Sequence, residues 1–242
     1  MISKDALVGR EEQVVRLKAA MSDATTATSA VDMSLVMLVA EIVHGPPIVT
    51  QDMELASIIV FGHGTVERKI DVTRRILMLR LGNGLKAKPH EYPFKVATFM
   101  VQAFNKIADM AKKDTWIRNT AAHGNIFMGR PGDEPKLIPS PLDFDGVKRH
   151  HEKRGGRGPA GFVPTNGFTA DELQAFAIEV KDTQKLFGRF ADLMKILMTG
   201  GPTAAFESGL VALGKDLKLQ APLQVRPHRG KTKPAGPKPG RR

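Results

Sequence analysis

The segment Arg118-Asn119-Thr120-Ala121-Ala122-His123-Gly124 places a permanent cation, an amide and an imidazole within seven residues. On a helix, Asn119 and His123 are four apart and share one face. Arg118 lies one step round, and its long side chain reaches toward the same space. Ala121 and Ala122 are small enough to let another helix or a substrate approach closely. Gly124 suits the position just past a helix end, and the negative end of the helix dipole suits a proton-carrying imidazole. Such a set fits chemistry at a phosphodiester. Cleaving RNA needs a proton taken from a 2′-OH, a proton given to the leaving oxygen and charge stabilised on phosphorus. Arginine grips phosphate bidentately with a charge that does not titrate away, and histidine moves protons. One imidazole does not easily serve both ends of that reaction, so a second copy from a dimer partner would help. The same residues also read as a plain helix end, with Arg118 paired to a buried carboxylate and His123 satisfying terminal carbonyls.

These residues need a helix to carry them. Pro93 suits the first turn of one, and Val96, Phe99, Met100, Ala103, Phe104, Ile107 and Met110 mark its buried face. That helix either runs on to His123 or breaks at Lys113-Asp114, where Asp114 would cap a new start. Upstream, the spacing predicts a short helix over 3–21, a Ser/Thr-rich linker over 22–29, and a helix over 31–43 stopped by His44-Gly45-Pro46-Pro47. Further helices are predicted over 51–61 and 65–81, broken by Gly62-His63-Gly64 and ended by Gly82-Asn83-Gly84. Residues 130–166 read as a long loop insertion with at most a short hairpin. Thr169 and Glu172 form a capping box, with Phe168 and Leu173 as its staple, opening a long helix to about Met198. A short helix near 204–213 follows. Strand signals are weak throughout. The chain therefore reads as all-α: a bundle of four to five main helices in one domain over 1–222, then a disordered basic tail over 223–242.

Composition excludes some chemistries. The 242 residues include no cysteine, so disulfides, thiolate catalysis and Cys-ligated metals are out. His150-His151-Glu152 lacks a partner cluster with metal spacing, and neither a metal nor an organic cofactor is expected. No leader is visible, and the most apolar stretch, 31–43, contains Asp32, Ser34 and Glu41 and is too short to span a bilayer. A cytoplasmic location and no membrane partner are expected. The net charge is +11, and residues 226–242 carry seven cations with no acid. Lys148 to Arg157 adds five cations against Glu152. Such segments either favour polyanions or simply solubilise the chain. Glu41 is an acid inside an apolar run that would either support Arg118 or lie on an exposed face.

The motif Arg118-Asn119-x-x-Ala122-His123-Gly124, at the end of a helix that precedes a final long helix, resembles the HEPN superfamily of α-helical proteins. The resemblance spans about 31–198 and leaves the N-terminal helix and the basic tail unexplained. It implies a metal-independent RNA endonuclease with a composite site built by a homodimer, acting as a toxin or antiviral effector beside an antitoxin protein. In that reading His123 is the general acid/base, Arg118 binds phosphate and Asn119 orients one of them. Other members of the superfamily are inactive, which leaves the alternative of a non-catalytic module binding RNA or protein.

Overall fold

The computed structural model describes residues 4–130, 132–155, 166–200 and 203–222. Among them the chain forms nine helices and one hairpin: α1 (Lys4–His44), α2 (Thr50–Phe61), α3 (Val66–Arg80), α4 (Gly82–Leu85), α5 (Tyr92–Lys112), α6 (Thr115–His123), β1 (Asn125–Phe127), β2 (Lys136–Ile138), α7 (Phe144–Arg154), α8 (Ala170–Thr199) and α9 (Ala204–Leu217). The fold is all-α.

The linker expected over 22–29 is instead the middle of α1, a single helix of 41 residues. Leu17, Ala20, Ala24, Ala27, Val31, Leu35, Leu38 and Ile42 are all buried and recur at three or four residues. The small alanines let α8 lie close, and α1 with α8 makes the most extensive helix pairing in the molecule. The hydroxyls that suggested a linker are satisfied inside the helix: Thr25 Oγ1 donates to Met21 O at 2.9 Å, and Ser34 Oγ to Ala30 O at 2.9 Å. Continuity also makes α1 long and apolar enough, by length and composition, to cross a membrane. However, 61% of its most apolar window is buried inside the protein.

Two hydrophobic clusters form. The larger joins the second half of α1 to α2, α3, α5, α8 and α9, with Phe104 against Phe187 and Phe190. The smaller joins the first half of α1 to Trp116 and Ala121 of α6, Leu137 of β2, and Phe168, Leu173, Phe176 and Ala177 around the start of α8.

The insertion expected as loop is partly regular. β1 and β2 pair antiparallel with Ile126 opposite Leu137, and Leu137 also bridges Phe168 through two 2.8 Å backbone bonds. α7 follows, opened by the Asp143 carboxylate on the Gly146 amide at 2.9 Å. Charge hides its periodicity: only Gly146 and His150 of α7 are buried. Residues 156–165 and the tail over 223–242 lie outside the described residues.

Candidate functional site

The helix carrying the motif starts anew at Lys113-Asp114, as one of the two sequence readings has it. Asp114 stands at the N-cap position in left-handed conformation, φ 56°. Its carboxylate does not cap the helix; it accepts from the Trp116 indole at 3.3 Å. An aspartate tolerates this backbone better than a branched residue would. Trp116, Thr120 and Ala121 then face the smaller core. Gly124 ends the helix with φ −74°, so left-handed geometry is not what selects glycine. A Cβ there would stand 2.4 Å from Thr120 O and 2.5 Å from Ile138 O. Glycine lets β2 close against the end of α6.

The three motif residues do not all face one way. Asn119 and His123 are exposed on the outer side of α6. Among the described residues neither side chain makes a hydrogen bond. Arg118 turns inward: Nη2 donates to Asp32 Oδ2 of α1 at 2.8 Å, and its side chain stays 24% exposed. Lys69 of α3 donates to the same oxygen at 2.8 Å and is itself buried, with Nζ 4.9 Å from the Phe61 ring centroid. Asp32 Oδ1 is buried without a partner among the described residues. Two cations thus meet one carboxylate, leaving a net positive charge beneath α6.

Asp32 and Lys69 escaped sequence reasoning, which read Glu41 either as a support for Arg118 or as a residue of an exposed face; Glu41 is buried and is neither. Glu41 lies elsewhere. Burial pushes its carboxyl above the ordinary range; Lys195 opposes this and Asp192 adds to it. The signal for Asp32 was its place on the buried stripe of α1, one turn from Thr28 and beside Val31.

The approach to Arg118 is narrow. A gap of about 20 Å³, bordered by Asp32, Arg118, Lys113 and Thr115, leads to the pair and admits about one water molecule. A wider cleft of about 310 Å³ between α5 and α8 shares Met110, Lys113, Phe176 and Thr183 with it. A gap of about 20 Å³ does not admit a nucleotide.

Behind α6, His150 of α7 packs edge-on to Trp116 and Phe168, with ring centroids at 5.7 and 5.5 Å, and its Nε2 lies 2.8 Å from Asn166 O. Burial lowers its pKa below the ordinary 6.5; the Asn166 carbonyl and Glu172 oppose this, and Arg154 adds to it. His150 is thus a packing histidine of the second core. Arg154 stacks on Phe168 at 4.5 Å and binds both oxygens of Glu172 at 2.9 Å, in the capping box that opens α8. Among the described residues no group of three or more His, Asp or Glu side chains is placed to hold a metal ion. Comparison with family models, with curated proteins and with solved structures gives no match to this chain.

Proposed function

We propose that the chain is a HEPN-like, metal-independent RNA endonuclease that works as a homodimer in the cytoplasm, with the role of a toxin or antiviral effector held in check by an antitoxin protein. The observation that carries this reading is the Asn119–His123 pair, exposed on the same helix whose Arg118 is held by Asp32 beside Lys69. The carboxylate fixes Arg118, and the surplus positive charge attracts a phosphate to its open side. In the reaction a neutral His123 takes the 2′-OH proton. O2′ then attacks phosphorus and the P–O5′ bond breaks. A protonated His123 of the second copy gives its proton to O5′, leaving a 2′,3′-cyclic phosphate and a 5′-OH. Asn119 hydrogen-bonds the phosphate or the imidazole.

A second reading is a non-catalytic helical module binding RNA or protein. The Arg118–Asp32 bond favours it, because that bond gives Arg118 a structural role without any substrate. The two readings separate in one experiment. Wild-type protein and folded His123→Ala are incubated with mixed cellular RNA in EDTA. Cleavage by the wild type, with cyclic phosphate ends and a loss of about 10²-fold or more in His123→Ala, supports the nuclease. Intact RNA with both proteins, or equal cleavage by both, overturns it.

A further inference from the structure

A second concave site lies at the opposite end of α5 from the motif helix. Twenty residues of helix separate Tyr92 from Lys112, a distance of about 30 Å at about 1.5 Å per residue. There the ends of α3 and α8 and the starts of α5 and α9 enclose a cavity of about 470 Å³. That volume is in the range of small-molecule sites, roughly 300–1,000 Å³. Val96 and Phe206, both buried, give it an apolar floor, and Leu197 and Met198 form a wall.

Two polar groups in this lining lack strong partners. Tyr92 Oη is buried with no hydrogen-bond partner. Arg80, exposed at the rim, donates through Nε to the Met198 thioether at 3.0 Å, and among the described residues it has no carboxylate partner. A thioether is a weak acceptor, and a guanidinium is shaped for carboxylate or phosphate oxygens. Burial pushes the Tyr92 phenol above its ordinary pKa, and Glu207 adds to the effect, so the group stays a neutral donor. Glu207 also disfavours an anion on the α9 side, which leaves the Arg80 side for negative charge.

We propose that this cavity binds a small amphipathic anion: an alkyl or aryl body seated on Val96 and Phe206, with a carboxylate or phosphate held at the rim by Arg80. The apolar floor selects the body, and the Arg80 guanidinium selects the head. The site is independent of the nuclease reading, since it shares no residue with α6.

The full chain is titrated calorimetrically with sodium octanoate and, in parallel, with octanol. Octanoate saturates at one per chain and raises the thermal midpoint. Arg80→Gln weakens octanoate by about tenfold and leaves octanol unchanged, as expected for loss of a charge-assisted hydrogen bond at an exposed residue. Tyr92→Phe serves as a control and leaves octanoate binding unchanged, because the Tyr92 oxygen is sealed from the cavity on the Glu207 side. Leu197→Trp fills the cavity and abolishes both. Octanoate that fails to saturate, or that binds wild type and Arg80→Gln equally, overturns the proposal, and neither result depends on the Trp variant folding.

Discussion

Asp32 decides what Arg118 is for. Its Oδ2 accepts from both Arg118 and Lys69, and these two cations come from helices far apart in sequence. Lys69 is the more dependent partner, because it is buried while Arg118 keeps contact with solvent. Removing the carboxylate strands a buried ammonium. Asp32→Ala should therefore cost about 3–5 kcal/mol in urea unfolding. Arg118→Ala should cost about 1–2 kcal/mol, since Lys69 still neutralises the acid. Replacing Asp32 and Lys69 together by Leu and Met should recover most of the loss, and no recovery would show that the pair is not the tie between α1 and α3. The choice of Asp32 over Glu41 follows from helix geometry. Nine residues turn an α-helix by about two and a half turns, so the two acids face opposite sides of α1. Both look alike as lone acids in an apolar run; only phase against the buried stripe separates them. The motif residues themselves were legible, because type and spacing alone define Arg118, Asn119 and His123. The pairing of Arg118 with a buried carboxylate was one of the sequence readings, but which carboxylate was not legible, because it depends on where α1 and α3 pass.

At the scale of the element, α1 shows how alanine misleads. Ala24 and Ala27 look like spacer residues among Ser and Thr, yet each is buried, with Ala20, against the start of α8. A side chain without length is what a close helix pair demands, so Ala24→Leu should overpack the interface and cost about 1–3 kcal/mol, read as a lowered denaturation midpoint. No Gly or Pro interrupts the chain between Arg10 and His44, which is the breaker evidence that a linker would need. The capping box of α8 and the Pro-led start of α5 were legible because caps act within four residues. α7 was not, because its burial rests on His150 rather than on an apolar stripe. That histidine makes the packing of α7 sensitive to acid. A pKa held below the ordinary 6.5 means that the folded state prefers neutral imidazole. The stabilisation is present above about pH 6.5 and is lost as pH falls through the lower folded value. The thermal midpoint of the wild type should fall between about pH 7 and 5, and His150→Phe should flatten that fall. Glu172 acts lower on the scale. Burial works to raise its carboxyl, but the Thr169 amide and Arg154 outweigh this and hold it below the ordinary 4.5, so its contribution disappears only in stronger acid.

For the molecule as a whole, charge and fold are separately distributed. The helices bury their apolar stripes in two clusters, while the acid-free run of seven cations over 226–242 lies beyond the described residues. If that run grips RNA, deleting 226–242 should weaken binding and reduce the slope of log K against log salt by about 0.7 for each phosphate it neutralises on a single strand. An unchanged slope would assign the tail no part in binding. The two clusters differ in their residues but share two helices, α1 and α8. α1, about 60 Å long at about 1.5 Å per residue, contributes its first half to one and its second half to the other. It works as a beam shared by two rooms. The room that holds the motif helix has little floor of its own, and it stands because the larger one anchors the far end of the beam. Loosening the bundle around Phe104 should therefore reach His123 without touching any residue near it: in Phe104→Ala, probes of the motif helix and of the larger core should report one coincident unfolding transition at a lowered midpoint.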